Sequence, residues 1–99
     1  MTIIYVSYTG DAETRFDRDY YVAIHVPLVM EAWTRHGLER CAAFFPAGNG
    51  AGTIAIAECH FRDDAAVLAA FGSSETSGVM ADIVNFTDVA PSRSRAVPL

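Results

Sequence analysis

Several segments of this 99-residue chain are apolar at both odd and even positions, and this pattern restricts the folds it can adopt. The pattern covers residues 3–6, residues 41–45 and residues 54–57. Strands that read as continuous apolar runs are typically buried on both faces of their sheet. The helices of this chain can cover only one face of its sheet. We therefore predict a homodimer in which the sheet of a second copy covers the other face. The alternative is a monomer with one exposed apolar face.

The first part of the chain predicts a strand followed by a long helix. Residues 2–9 are mostly β-branched or aromatic, which is typical of a strand. Residues 17–36 carry apolar side chains at helical spacing, with Asp17 as the N-cap. Pro27 lies inside this helix and cannot donate a hydrogen bond to the carbonyl of Ala23, so we predict a kink there.

A β-hairpin is predicted next. Two apolar runs, residues 38–47 and residues 53–62, flank a glycine-rich segment, residues 48–52, which predicts a mobile hairpin loop. If the strands pair symmetrically about this loop, Cys41 and Cys59 face each other. Two reduced thiols is the interpretation favoured for a cytosolic protein, and a disulfide is the alternative.

The remaining sequence predicts two helices and a final strand. Asp63 is the expected N-cap of a helix over residues 64–71, and a shorter helix follows that ends near Met80. The last strand lies within residues 87–97, where Pro91 favours an edge or a bulge. The element order is therefore β-α-β-β-α-β, which predicts an α+β fold of the ferredoxin-like type.

Length and composition predict a single domain over residues 1–99 and exclude several classes of protein. The formal net charge of −5 is opposite in sign to that of a nucleic-acid-binding module, so no nucleic-acid partner is expected. Hydrophobic residues make up 52% but are too interrupted to span a membrane. No signal peptide is evident and there are only two cysteines, which favours the cytoplasm. Metal-ligand spacings, dinucleotide-binding and phosphate-binding loops and nucleophile elbows are absent, so we expect no metal and no encoded cofactor site.

His25 is the candidate catalytic residue. It shares a helix face with Tyr21 and Val29, so we expect it to point at the sheet rather than at water. A half-buried imidazole titrates near neutral pH and can act as an acid or a base. The alternative is a structural histidine bonded to a backbone carbonyl near Pro27.

Large apolar side chains could line a pocket for a planar ligand, although core packing is the alternative for each of them. The candidate substrate-binding residues are Tyr8, Tyr21, Val29, Trp33 and Phe86. His36 is expected to be structural, because its charge suits the C-terminal end of a helix. His60 follows Cys59 on a strand, so those two side chains point to opposite faces and cannot act as a pair of metal ligands.

Three separated motifs follow one another along the chain. They are Phe16-Asp17-Arg18-Asp19-Tyr20-Tyr21 with His25-Val26-Pro27-Leu28, Phe61-Arg62-Asp63-Asp64 with Ala69-Ala70-Phe71-Gly72-Ser73, and Ala81-Asp82-Ile83-Val84-Asn85-Phe86-Thr87-Asp88. In this order they resemble the signature of EthD-like proteins, a family named for a component of ethyl tert-butyl ether degradation. The resemblance implies a dimeric α/β barrel built from two ferredoxin-like subunits, and it matches His25 to the family's histidine. The chain departs from the family in its glycine-rich loop and in a tail that carries Arg93 and Arg95.

The resemblance implies four functions that the residues leave open. The first is a cofactor-independent oxidoreductase or monooxygenase acting on a small apolar or aromatic compound, with His25 taking a proton. The second is a cyclase or isomerase that uses the same base without oxygen. The third is a non-enzymatic module that binds a hydrophobic metabolite or assists a degradative enzyme. The fourth is haem binding, with His25 as an axial ligand.

Overall fold

Four strands form one antiparallel sheet, as a computed structural model of residues 1–48 and 50–97 describes it. The strands are β1 (Thr2–Gly10), β2 (Leu38–Phe44), β3 (Gly52–Phe61) and β4 (Ser92–Ala96). Their order in the sheet is β2-β3-β1-β4, so β1 and β3 occupy the centre, and β4 is an edge strand that begins directly after Pro91. This topology confirms the predicted α+β, ferredoxin-like fold.

The β2–β3 hairpin has the predicted register. Cys41 pairs with Cys59 across the two strands, which confirms the symmetric pairing about the glycine-rich loop. Strand β2 is shorter on the loop side than predicted, because it ends at Phe44, whereas β3 begins at Gly52, one residue before the predicted run. Asn49, within that loop, lies outside the described residues.

The predicted helix over residues 17–36 is present, but its winding changes along its length. It consists of α1 (Arg18–Tyr20), a π-helical turn (Tyr21–His25), α2 (Val26–Trp33) and a 3-10 turn (Thr34–His36). Asp17 caps its start by accepting a hydrogen bond from the backbone N–H of Tyr20 at 3.0 Å. Pro27 falls in the first turn of α2, directly after the π turn, where a missing N–H is tolerated. The helix thus accommodates the proline by widening the preceding turn.

The second helical region is divided as predicted. Helix α3 (Asp64–Phe71) begins after Asp63, whose carboxylate accepts a hydrogen bond from the backbone N–H of Ala66 at 2.8 Å. Helix α4 (Thr76–Ala81) leads into a 3-10 turn (Asp82–Asn85). In the described residues no helix is both long and apolar enough to cross a membrane.

The two faces of the sheet differ in chemistry. The face toward the helices carries the buried core, including Tyr8 and Phe61. The opposite face is only partly apolar, which corrects the expectation that both faces are continuous apolar surfaces. At its centre the hydroxyl of Tyr5 donates to Glu58 at 3.0 Å, and His60 Nε2 lies 2.5 Å from the same carboxylate. The hydrogen bond with His60, followed by that with Tyr5, holds the pKa of Glu58 below its ordinary value.

Gly37 joins the first helical region to β2 in a conformation that other residues rarely adopt. Its φ angle is 109°, and a Cβ atom at this position would lie 2.5 Å from the Cβ of Ala66 in α3. The position therefore requires glycine both for its backbone and for the close approach of α3.

We expect Gly37→Ala to lower the free energy of unfolding by about 1–3 kcal/mol, because it combines an unfavourable φ with a steric clash. Urea denaturation measures this change. Gly78→Ala is the matched control, since nothing lies within 4 Å of a Cβ built at Gly78 in α4. That substitution should leave stability unchanged or raise it. Equal losses in both variants would contradict the assignment.

Candidate functional site

A cavity of about 400 Å³ lies between the sheet and the helices. Its lining comes from all four strands, from the helical region around residues 21–33 and from α3 and α4, and most of it is apolar. This size and composition are typical of a site for one small organic molecule. The polar side chains at its wall include His25, Thr76 and Arg93.

The structure brings together most of the residues that the sequence analysis selected. The cavity lining includes His25, Tyr8, Tyr21, Val29 and Trp33. Phe86 does not line the cavity. It is fully buried behind His25, with the two ring centroids 4.6 Å apart, so its position favours support of the imidazole over contact with a ligand.

His25 is the last residue of the π turn, and its side chain forms part of the cavity wall. Only 4% of its surface is exposed, and its ring stacks on that of Tyr21 with centroids 5.5 Å apart. Its Nδ1 lies 2.9 Å from Oδ2 of Asp82, at the start of the 3-10 turn after α4. The partner of His25 is therefore a carboxylate, where the structural interpretation of the sequence expected a backbone carbonyl.

Asp82 is itself held by two further hydrogen bonds. The hydroxyl of Tyr20 donates to its Oδ1 at 2.6 Å, and the side-chain amide of Asn85 donates to the same oxygen at 3.0 Å. Burial alone would raise the pKa of Asp82, but the hydrogen bonds from Tyr20, Asn85 and His25 outweigh it and lower the pKa. Asp82 is therefore a carboxylate at neutral pH.

This carboxylate determines which tautomer His25 adopts. A carboxylate only accepts hydrogen bonds, so Nδ1 of His25 carries the proton and Nε2 of the neutral ring has a free lone pair. Among the described residues Nε2 has no hydrogen-bond partner, and it is not sealed off from open space. The geometry is that of a general base whose orientation is set by an acidic partner.

Burial keeps His25 neutral. It lowers the pKa of His25 from its ordinary value of 6.5, and the hydrogen bond with Asp82 opposes this effect without cancelling it. The unfolded chain therefore binds a proton at a higher pH than the folded chain does. The contribution of neutral His25 to stability is complete above pH 6.5 and declines as the pH falls toward its folded-state pKa.

Two thiols form part of the cavity wall. The Sγ atoms of Cys41 and Cys59 are 3.7 Å apart, and both residues are free cysteines. The hydrogen bond between the two thiols lowers the pKa of Cys41, while the same contact and burial raise the pKa of Cys59. Burial likewise raises the pKa of the tyrosines Tyr8 and Tyr21, so both remain neutral hydroxyls.

The residues that hold His25 are not evident from the sequence. Asp82 and Asn85 are three residues apart on one turn, directly before Phe86, and they lie in one of the motifs quoted above. Their spacing places both side chains on one face of a helical turn. Nothing in the sequence, however, indicates that this face meets the helix that carries His25, because the two segments are 57 residues apart.

No group of three or more histidine, cysteine, aspartate or glutamate side chains within residues 1–48 and 50–97 is placed to hold a metal ion. The candidate site consists of a histidine–carboxylate pair at the wall of an apolar cavity in a ferredoxin-like α+β domain.

The family model of the EthD domain matches residues 11–90, and the chain belongs to this family. No curated protein matches the chain significantly.

Solved structures show the same fold. An EthD-like protein from Ralstonia eutropha JMP134 superimposes with a TM-score of 0.84 at 21% identity, covering 96% of this chain and 88% of its own. An ethyl tert-butyl ether degradation family protein from Bacillus halodurans C-125 gives 0.71 at 16% identity, covering 98% and 99%. SnoaB from Streptomyces nogalater, a cofactor-independent oxygenase, gives 0.65 at 11% identity, covering 98% and 92%. At these identities the likeness concerns the fold.

We expect Asp82→Asn to lower the pKa of His25 further, because the substitution removes a negative charge that favours the imidazolium. A pH titration of the His25 ring followed by NMR measures this shift. Asp88→Asn is the control, since Asp88 pairs with Arg15 at the surface and not with His25. An unchanged His25 pKa in Asp82→Asn would show that the carboxylate does not govern the imidazole.

Proposed function

We propose that this protein is a cofactor-independent enzyme of the oxidoreductase or monooxygenase type that acts on a small apolar or aromatic compound. The observation that carries the proposal is the neutral His25, held by Asp82 at the wall of an apolar cavity. A protein of this kind needs a base that is neutral at physiological pH and a site that excludes water. The family membership and the fold shared with a cofactor-independent oxygenase support this reading.

His25 acts in this proposal as the base that generates a substrate carbanion. Its Nε2 removes a proton from an activated C–H group, and the imidazolium that forms is stabilised by the Asp82 carboxylate. Tyr20 and Asn85 act through Asp82 as positioning residues. The carbanion then reacts directly with molecular oxygen. For a methylene group the overall change is R₂CH₂ + O₂ → R₂C=O + H₂O.

The cavity wall contributes orientation and a low dielectric environment. In the proposal Tyr8, Tyr21, Val29 and Trp33 contact the substrate. The indole N–H of Trp33 is already occupied, because it donates to Thr76 Oγ1 at 3.1 Å, so this residue offers the substrate an apolar ring. Apolar surroundings strengthen the electrostatic interaction between the imidazolium and the developing negative charge.

The activity is testable with anthrone, a planar compound with one activated methylene group between two aromatic rings. We expect the wild type to consume oxygen and to form one anthraquinone per oxygen molecule, above the uncatalysed rate. His25→Ala should lower kcat by about 10²–10⁴-fold with little change in KM, because a base lost from the chemical step does not weaken ground-state binding. An oxygen electrode and product absorbance measure both quantities.

His36→Ala is the matched control for this experiment, since His36 contacts Glu75 outside the cavity lining. Its kcat should equal that of the wild type. Tight anthrone binding with no turnover would favour the binding or accessory module. A product formed without oxygen consumption would favour a cyclase or isomerase, and a coloured preparation after haem-replete expression would favour haem binding.

We also propose that the protein is a homodimer whose sheets pack through the faces opposite the helices. On this face Phe44 is 51% exposed, and Ile3 and Ile56 are only partly buried. The polar cluster of Tyr5, Glu58 and His60 lies among them. Packing a second copy there removes this apolar surface from water and leaves the cavity on the helix side of each subunit accessible.

We expect sedimentation of the wild type to give twice the chain mass of 10.7 kDa, and Phe44→Asp to weaken the dimer by about tenfold or more, because it places a charge in the apolar contact. Leu68→Asp is the control. Leu68 is 76% exposed on α3, on the helix side of the sheet. Dissociation by Leu68→Asp instead would place the interface on the helices.

A cytoplasmic location belongs to the same proposal. A reducing compartment keeps Cys41 and Cys59 as thiols in the cavity wall.

A further inference from the structure

One charged side chain at the cavity wall has no role in the chemistry proposed for His25. Arg93 lies on β4, where it pairs with Val6 of β1, and both side chains line the cavity. Its guanidinium carbon lies 4.4 Å from the ring centroid of Phe71, which also lines the cavity. Among the described lining residues, Arg93 is the only one that is positively charged at every physiological pH.

The surroundings of Arg93 differ from those of most arginines in this chain. Within the described residues, five of the seven basic side chains lie within 4 Å of a carboxylate: Arg15, Arg35, Arg40, Arg62 and Arg95. Arg93 and Arg18 rest on aromatic rings instead, and Arg18 does not line this cavity. A guanidinium held over a ring keeps N–H donors for an acceptor supplied by another molecule.

We propose that Arg93 binds the acidic group of the ligand, so that the compound taken into the cavity is an organic carboxylate with a flat apolar body. This inference rests on the proposed function, because it assigns a substrate class to the same cavity. Guanidinium and carboxylate form two parallel, charge-assisted hydrogen bonds, which fix orientation as well as adding affinity. The ligand is thereby anchored at Arg93, and its apolar body extends along Phe71 and Trp33 toward the wall that carries His25.

The net charge of the protein strengthens the case for a dedicated cation. At −5 the protein as a whole repels an organic anion, so an anionic ligand needs a local positive charge to compensate. A neutral apolar ligand needs no such charge at the cavity wall.

The test compares two probes of the same shape by isothermal titration calorimetry at pH 8 in low salt: 2-naphthoate, which is charged, and 2-naphthamide, which is neutral. We expect the wild type to bind 2-naphthoate about tenfold or more tightly than 2-naphthamide, as a charge-assisted pair implies. Arg93→Gln should abolish this preference while leaving the affinity for 2-naphthamide within about twofold. Arg93→Lys should retain part of the preference, because it keeps the charge and loses the paired geometry.

Arg95→Gln is the matched control on the same strand. Arg95 pairs with Asp64, 2.5 Å away and outside the cavity, so its removal changes the net charge equally without touching the site. The preference for 2-naphthoate should survive in this variant. Equal affinity of the wild type for both probes, or a preference that survives Arg93→Gln, would overturn the inference and leave the proposed function standing. If neither probe bound, the inference would be overturned, and the anthrone assay would decide the proposed function separately.

Discussion

The carboxylate of Asp82 links the first helical region to the 3-10 turn that follows α4. It accepts hydrogen bonds from Tyr20 and His25 on the first helical region and from Asn85 on its own turn. The same two segments are also joined by a backbone hydrogen bond, in which the N–H of Asp17 donates to the carbonyl of Phe86 at 2.8 Å. The side chain of Asp82 is only 12% exposed, so its carboxylate would be unfavourable without these partners. The packing of the C-terminal turn onto the first helix and the orientation of His25 therefore depend on one set of contacts.

The fold was predictable to the extent that it depends on local rules. Asp63 and the apolar residues after it identify α3, and the symmetric hairpin follows from two apolar runs around a glycine-rich loop. The π turn was not predictable in this way. A proline inside a helix indicates only that one hydrogen bond is missing, and whether the chain then kinks or widens depends on tertiary contacts such as those of Tyr21 and His25.

The residues of the candidate site also divide into those that local rules predict and those whose role depends on tertiary contacts. His25 and the cavity residues Tyr8, Tyr21, Val29 and Trp33 could be selected because each is a large apolar or titratable side chain within a predicted strand or helix. Asp82 could not, because its role arises from a contact between distant segments. Phe86 was selected from the sequence as a candidate substrate-binding residue but does not line the cavity. A large aromatic side chain can line a pocket or pack in the core, and the choice is decided by packing depth, which sequence spacing does not report.

The π turn makes the site more sensitive to chain length than to residue type. In an α-helix each residue advances the side-chain direction by about 100°, so deleting one residue between Tyr20 and Val26 would turn everything before the deletion by that angle relative to α2. Tyr20 and His25, on opposite sides of such a deletion, could then no longer reach the same carboxylate. Val22 and Ile24 in this turn are each 50% exposed and can be exchanged without touching the site, whereas the loss of a single peptide unit would separate the base from the residues that orient it.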